Sequence, residues 1–236
     1  MIIVYLCIAI ERQSGSRITD SCLIENEKAD AIIVSIRELA KSFKIKPYNE
    51  DTGYGLLRHV LIRTGFTSGE IMVCIVINKK NQKNADKEKK SVAHMSMGIH
   101  GDSMNLTNEF IPGQGELLVK LAQIPGMTSI SVSINTENTN VIMGTEIHTL
   151  WGRDTISDTI HVRDMQKEGY PCTGDALTFH ISPLSFYQVN PVQTAVLYGQ
   201  ALEMADLSGD EVVWDAYCGI GTISLFLAQK AKKVYG

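Results

Sequence analysis

The amino-acid sequence predicts an α/β protein, with a central α+β domain over residues 1–180 followed by the start of a Rossmann-like domain over residues 181–236. Three observations predict this fold class. Residues 27–44 carry apolar side chains at helical spacing, and residues 56–77 contain two β-branched stretches separated by glycines. Residues 191–236 follow the order helix, strand, Gly-rich turn, helix, strand, which is the opening βαβ unit of a doubly wound parallel sheet.

The first part of the chain supplies the elements of the α+β domain. The apolar opening, Met1–Ile10, has neither the basic flank nor the cleavage site of a signal peptide, so we expect a core strand there. Two strands, Leu56–Arg63 and Ile71–Ile77, are expected to form a hairpin. A helix over Glu27–Lys44 is predicted by an apolar stripe formed by Ala29, Ile32, Ile33, Ile36, Leu39, Ala40 and Phe43.

The middle of the chain is less regular. Lys79–Pro112 is polar and lysine-rich at its start, which predicts a solvated loop; a basic loop that contacts RNA is the alternative. Glu116–Ile124 has the pattern of a short amphipathic helix closed by a Pro-Gly pair. Ser129–Ile134 and Asn140–Met143 are expected to be strands.

The last quarter of the chain begins with a strong helix start. Asn190 is placed to cap a helix that has proline at its first position and glutamine at its third, and that runs to about Ala205. A buried strand from Val212, a helix over Ile223–Lys230 and a second strand from Lys233 follow. Two parallel strands cannot cover both faces of a sheet, so we expect this domain to be truncated.

Composition excludes several classes of protein. Among 236 residues, no apolar run approaches the ~20 residues that a transmembrane helix requires, so no membrane partner is expected. The formal charge of −4 argues against a large nucleic-acid footprint on this chain. The five cysteines are scattered without a C-x-x-C pair, which argues against a disulfide framework or a zinc site and favours reduced thiols in the cytoplasm.

The turn after the first late strand carries the clearest chemistry. It has the sequence D-A-Y-C-G-I-G-T from Asp215 to Thr222, and Gly219 and Gly221 allow the backbone to approach a ligand closely. Only two of the three glycines of the dinucleotide fingerprint are present, because Ser224 occupies the third position. This pattern favours S-adenosylmethionine over NAD; a purely structural turn and another nucleotide are the alternatives.

A second motif, S-P-L-S-F-Y-Q-V-N over Ser182–Asn190, is far more specific when it precedes this turn. Together the two motifs resemble those of the RNA uracil-5-methyltransferase family, whose members make 5-methyluridine in ribosomal or transfer RNA. The resemblance extends back through Asn135–Gly144 and Arg58–Val60 and covers about residues 20–236. It implies S-adenosylmethionine as cofactor and RNA as partner, with ribosomal RNA preferred.

The resemblance also implies roles for individual residues. Gln188 matches the glutamine that contacts the methyl donor, and Phe186 lies where an aromatic ring faces the flipped-out uridine; a core position is the alternative for Phe186. Tyr217 matches the aromatic residue of the donor turn. Asp215 would fix that turn, which is lined by Gly219, Gly221 and Thr222.

No catalytic residue is assigned to this chain. Uracil C5 is a poor nucleophile, so family members add a cysteine thiolate at C6 and later use a general base to remove the C5 proton. In the family, both residues lie well downstream of the first βαβ unit. Cys218 is not assigned as the nucleophilic cysteine, because it lies within the donor turn and is more simply explained as a packing residue.

Cys22 resembles the last ligand of the iron–sulfur cluster that part of the family carries. One thiolate cannot hold a cluster that needs four ligands, so the sequence predicts no metal site. We interpret Cys22 as a remnant of the family's ligand, and an ordinary buried cysteine is the alternative. The family's N-terminal RNA-binding barrel is also expected to be missing.

These observations lead to one hypothesis and two principal rivals. The parent protein is expected to be an S-adenosylmethionine-dependent RNA uracil-5-methyltransferase, and this chain alone is expected to be inactive. One rival is a methyltransferase with a small-molecule or protein acceptor. The other is a non-catalytic binding or assembly module, which an unfinished sheet could support by forming a homo-oligomer. A Rossmann oxidoreductase is disfavoured by the missing third glycine.

Overall fold

The computed structural model describes residues 2–7, 27–79, 109–169 and 171–236. Contacts within it divide the chain into two compact units. The five-strand unit consists of the described residues within 2–64 and 70–156, and the C-terminal unit consists of 65–69 and those within 157–236. The contact division thus falls after Ile156 rather than at residue 180, and the assignment of 181–236 to a separate domain stays a prediction.

The five-strand unit is built on a mixed sheet whose spatial order follows the chain, from β1 to β5. Neighbouring strands are antiparallel except for the parallel pair β3–β4. The helices are α1 (Glu27–Ser42) and α2 (Gln114–Ala122). The strands are β1 (Ile2–Cys7), β2 (Leu57–Thr64), β3 (Ile71–Ile77), β4 (Met127–Ile134) and β5 (Glu146–Gly152).

The core of this unit joins the apolar stripes of both helices to alternate residues of the sheet. Ile32 and Leu39 of α1 and Leu117 of α2 are at most 1% exposed and belong to the same cluster as Val73 and Val132. Removing such side chains from water is the main favourable contribution to folding. The helix predicted over Glu27–Lys44 is confirmed. Its last stripe residue, Phe43, is 41% exposed because α1 ends one residue earlier.

The expected strand at Asn140–Met143 is wrong, because these residues form an irregular loop. The Asn135 side chain accounts for this conformation: its Nδ2 donates to the carbonyl oxygens of Val141 at 2.7 Å and Ile142 at 3.0 Å. Its Oδ1 accepts the Glu137 N–H at 3.0 Å. A side chain that satisfies backbone groups in this way replaces the partners that a ladder would offer.

The C-terminal unit contains the predicted order of strand, turn, helix and strand. Its last two strands, β8 (Val212–Trp214) and β9 (Lys233–Tyr235), are parallel, with Val213 opposite Val234. A hairpin-like pair of longer strands and a helix precede them. The elements are β6 (Ile156–Arg163), β7 (Cys172–Ile181), α3 (Pro191–Ala205), β8 (Val212–Trp214), α4 (Thr222–Ala228) and β9 (Lys233–Tyr235).

The strand at Val212 was expected to be buried, and this expectation is wrong. Val212 is 63% exposed and Trp214 is 80% exposed. β8 has only one hydrogen-bonded neighbour in the described chain, so it receives little of the cover that inner strands of a parallel sheet have.

Candidate functional site

The candidate site is the turn between β8 and α4. Asp215 stabilises this turn through three hydrogen bonds. Its backbone N–H donates to the Tyr235 carbonyl at 2.7 Å. One carboxylate oxygen accepts the Tyr217 N–H at 3.1 Å, and the other accepts the Ser224 hydroxyl at 2.6 Å. Both carboxylate oxygens therefore hold the turn.

The two glycines of the turn have backbone conformations that L side chains rarely adopt. Gly219 has φ 57° and Gly221 has φ 79°, and a Cβ built on either would meet no atom within 4 Å. Space beside the turn is therefore open at both positions. The Gly221 N–H donates to the Cys218 carbonyl at 2.8 Å, so the backbone is ordered around that space.

Two side chains of the turn have contrasting environments. The Tyr217 ring is 97% exposed, which leaves both of its faces available to a ligand. Thr222, the first residue of α4, is half-buried, and its hydroxyl lies 2.7 Å from the Tyr198 hydroxyl. Tyr217 is thus placed to contact a planar group, whereas Thr222 is tied to the protein interior.

The Ser182–Asn190 segment alternates between inward and outward side chains. Tyr187 is 1% exposed, whereas Phe186 is 67% exposed and Gln188 is half-buried. The core alternative for Phe186 is therefore excluded by its exposure. Burial, followed by the nearby Asp158 carboxylate and the Tyr198 hydroxyl, raises the pKa of Tyr187, which keeps this phenol neutral.

The Ser182–Asn190 segment and the helix after the turn pack against one aromatic cluster, formed by Phe179, Tyr187, Tyr198 and Phe226. Phe179 of β7 lies 5.9 Å from Tyr187 and 6.3 Å from Phe226, measured between ring centroids. Phe226, from α4, is fully buried and lies 5.7 Å from Tyr198. The segment that carries Phe186 and the helix that follows the turn are therefore attached to one cluster.

The helix start predicted at Asn190 is confirmed. Its side-chain oxygen accepts the Gln193 N–H at 3.1 Å, and Pro191 is the first residue of α3. The Thr194 hydroxyl donates to the Asn190 carbonyl at 2.7 Å. Tyr198 was not predicted to be a site residue, although its helical spacing from the buried residues Thr194 and Leu202 marks the inward face of α3.

The cysteines offer no metal site in the part of the chain that the structure describes. Cys74, Cys172 and Cys218 are free, and no group of three His, Cys, Asp or Glu side chains is arranged to hold an ion there. Burial raises the pKa of the Cys74 thiol to about 11, so this cysteine is not a ready nucleophile. Cys22 lies outside the described residues. Within those residues, no helix has the length and apolarity needed to cross a bilayer.

A solved structure shares the fold of this chain. A crystal structure of Pyrococcus abyssi tRNA (uracil-54, C5)-methyltransferase in complex with S-adenosyl-L-homocysteine superposes with a TM-score of 0.62. The match covers 97% of this chain and 46% of that one, at 19% identity. The chain therefore has a mixed α/β fold that resembles a methyltransferase fold.

Relatives at higher identity give the family. A Clostridium tetani protein named as an uncharacterized RNA methyltransferase is 43% identical over 217 residues, and a Listeria innocua protein of the same description is 40% identical over 216. Each match covers 92% of this chain and 38% of the relative's length. No family model matches the chain. The chain is thus a relative of RNA methyltransferases, and the resemblance drawn from the motifs is confirmed at that level.

Proposed function

We propose that this chain forms the methyl-donor half-site of an S-adenosylmethionine-dependent RNA uracil-5-methyltransferase, with ribosomal RNA preferred over transfer RNA as the acceptor. The observation that carries the proposal is the open Gly219–Gly221 turn beside the exposed ring of Tyr217, in a relative of RNA methyltransferases. The chain spans 38% of the length of the curated relatives that it matches, and the complete reaction is proposed for the whole protein.

The residues of the turn fit an adenosyl amino acid. The open space beside Gly219 and Gly221 admits a bulky group against the backbone. The Tyr217 ring can stack on a purine, because its faces are free. A nucleoside that carries an amino acid has a planar end, which the Tyr217 ring could stack on, and a polar end, which could hydrogen-bond to the protein.

Each residue of the turn is then proposed to have its own role. Asp215 and Thr222 hold the turn in shape through their hydrogen bonds. The glycines allow close approach of the donor, and the exposed Tyr217 ring is proposed to stack on the adenine. The Gln188 amide is proposed to hydrogen-bond the polar end of the donor. When bound, the donor supplies an electrophilic methyl group.

The acceptor side of the site is proposed to begin at Phe186. An exposed ring on a segment anchored by Tyr187 can face a base that has left its stack, and stacking of this kind tolerates any base. We assign no catalytic residue to this chain and propose that it does not turn over alone. The parent's thiolate and general base must act at C6 and C5 of the uracil.

The first experiment measures donor binding directly. Calorimetric titration of S-adenosylhomocysteine into this chain is expected to show binding that weakens about 5- to 100-fold in Tyr217→Ala, since stacking is worth about 1–3 kcal/mol per base. In Gln188→Ala, which removes a proposed hydrogen bond, binding is expected to weaken about two- to tenfold. Tyr54→Ala is the matched control, because Tyr54 is 66% exposed but belongs to the five-strand unit. No binding, or equal loss in the control, would contradict the proposal.

The acceptor is tested on the full-length parent. Ribosomal RNA, transfer RNA and free uridine are incubated with the donor, and digested nucleosides are analysed for 5-methyluridine. Product in ribosomal RNA supports the proposal as stated, whereas product in transfer RNA corrects the acceptor. Methylation of free uridine alone would favour the small-molecule rival. The proposal includes a cytoplasmic location, where RNA is found and the described cysteines would remain free.

A second candidate, an assembly module, is favoured by the exposed apolar side chains of β8 and β9. Val212, Trp214 and Tyr235 are all at least half exposed. An apolar surface on a short sheet with free edges is suited to self-association.

A further inference from the structure

Tyr198 stands at the junction of the two motifs. It belongs to α3, is 5% exposed, and its hydroxyl lies 2.7 Å from the Thr222 hydroxyl at the start of α4. A buried tyrosine needs a partner for its hydroxyl, because a desolvated polar group without one costs free energy. The Thr222 hydroxyl provides this partner and accounts for the position of a polar atom in an apolar cluster.

The same side chain contacts α4 a second time. Its ring lies 5.7 Å from the ring of Phe226, which is fully buried. Residues 222 and 226 are four positions apart and therefore lie on one face of the helix. With the hydroxyl fixed at one position and the ring at the other, α4 cannot rotate about its axis without losing a contact.

The opposite side of the aromatic cluster leads to the other motif. Phe226 lies against Phe179, and Phe179 lies edge-on to Tyr187, which is flanked in sequence by Phe186 and Gln188. α3 also begins at the end of this motif, where Asn190 caps it. The motif and the turn are thus joined through α3 and through the cluster.

We propose that Tyr198 is a positioning residue for the donor turn. Its hydroxyl fixes the rotation of α4 through Thr222, and thereby holds the Asp215–Gly221 turn open in register with Phe186 and Gln188. This inference rests on the proposed function for its link to the methyl donor. The ordering of the turn by Tyr198 requires no ligand and is tested separately.

The first test measures amide hydrogen exchange without ligand. In Tyr198→Phe, the amides of Gly221 and Leu225 are expected to exchange about three- to tenfold faster, as removal of one net hydrogen bond implies. The Gly221 N–H donates to the Cys218 carbonyl within the turn, and the Leu225 N–H donates to the Gly221 carbonyl in the first turn of α4. Their exchange rates therefore report on the turn and on the start of the helix.

Matched variants separate positioning from a general loss of packing. Thr222→Val is expected to speed the exchange of the Gly221 and Leu225 amides as Tyr198→Phe does. Thr222→Ser, which keeps the hydroxyl, is expected to retain the slow exchange of the unsubstituted chain. In the double variant Tyr198→Phe/Thr222→Val the effects should not add, since both remove one bond. Thr194→Val is the control: it removes a buried hydroxyl from the start of the same helix, and should leave the turn amides unchanged.

The second test measures the affinity for S-adenosylhomocysteine in the same variants. Tyr198→Phe and Thr222→Val are expected to weaken binding about three- to tenfold, and Thr222→Ser to retain it. Unchanged exchange at the turn in Tyr198→Phe would overturn the inference, and so would faster exchange with unchanged affinity. If the unsubstituted chain does not bind, the proposed function fails, and the exchange result alone decides whether Tyr198 orders the turn.

Discussion

Asp158 shows how much order a single buried carboxylate can impose. It is 1% exposed and accepts three consecutive backbone N–H groups, from Phe66 at 3.1 Å, Thr67 at 2.8 Å and Ser68 at 3.3 Å. The Thr67 hydroxyl adds a bond to the Thr159 carbonyl. One side chain therefore satisfies three of the five amides in the short turn over residues 65–69, and the Gly69 N–H donates to the Gly65 carbonyl.

Replacement of Asp158 by asparagine is expected to destabilise the protein. The amide keeps one acceptor oxygen but places an N–H₂ group against N–H donors, so at least one buried donor loses its partner. The expected loss in the free energy of unfolding is about 1–3 kcal/mol, measured by urea denaturation. Asp154→Asn is the control, since Asp154 is exposed and its carboxylate accepts the Thr149 hydroxyl rather than buried backbone N–H groups. Equal losses in both variants would contradict this account.

Glu211 makes stability depend on pH. Hydrogen bonds from the Ser208 hydroxyl and N–H, with a further one from the Gly209 N–H, lower the pKa of this carboxyl to about 2. A folded-state pKa below the unfolded value of 4.5 means that the contribution is present above pH 4.5 and is lost as the pH falls towards 2.

The test of this dependence compares the unsubstituted chain with Glu211→Gln. The difference between their thermal midpoints is expected to be largest above pH 4.5 and to shrink between pH 4.5 and 2. A difference that stays constant over this range would show that the carboxylate charge is not involved.

Residue-level prediction succeeded where the chemistry is local. Asn190 was identified as a cap because its bond partner lies three positions along the chain. Tyr198 was not identified, because its partner Thr222 is 24 positions away and only the fold brings the two hydroxyls together. The roles of Gln188, Tyr217 and Phe186 stay predictions until binding is measured.

At the scale of elements, α3 is shaped by one close approach. A Cβ added at Gly199 would lie 2.3 Å from the Arg163 carbonyl oxygen, so only glycine lets the helix pack this near to β6. The position costs helix propensity, because glycine is about 1 kcal/mol less favourable than alanine in a helix. Close packing here therefore overrides the local preference.

Gly199→Ala is expected to lower the free energy of unfolding by about 1–3 kcal/mol, since overpacking forces the helix away from β6. The matched variant is Gly115→Ala in α2, where an added Cβ would meet nothing within 4 Å. That change is expected to raise stability by about 0.5–1 kcal/mol. Opposite signs in urea denaturation would support the packing account, and a gain in both variants would contradict it.

Elements with a local pattern were predicted well, and elements that depend on distant partners were not. The helix at 27–42 and the hairpin of β2 and β3 follow from periodicity. The loop at Asn140–Met143 contains β-branched residues, but two of its carbonyl oxygens accept hydrogen bonds from the Asn135 side chain instead of from a neighbouring strand. The sequence pattern of the loop does not reveal this hydrogen bonding. The exposure of β8 likewise depends on how many neighbours the strand has.

At the scale of the whole molecule, the exposed apolar side chains of β8 and β9 predict self-association. Sedimentation velocity is expected to show a weight-average mass that rises with concentration. Trp214→Lys should lower this association, because Trp214 is 80% exposed on the short sheet. Met204→Lys is the control, with a side chain that is 79% exposed on α3. A monomer at every concentration would contradict the assembly candidate.

The family was recognisable from the sequence, whereas the pairing of the strands in the five-strand unit was not. Two short motifs sufficed because particular residue types at fixed spacing can be recognised directly in a sequence. The neighbours of each strand in the five-strand unit depend on pairs of residues far apart in the chain, which no short motif specifies. The relation to RNA methyltransferases at 40–43% identity confirms the former.

The contact between Asp158 and residues 66–68 also sets an order of events during synthesis. The Phe66 amide and its acceptor are 92 positions apart in the chain. At the usual rate of about 5–20 residues per second, the ribosome completes the turn roughly 5–20 s before it adds the aspartate. During that interval the hairpin strands can pair while the amides at their tip are held only by water, and the tip acquires its final form after translation has passed residue 158.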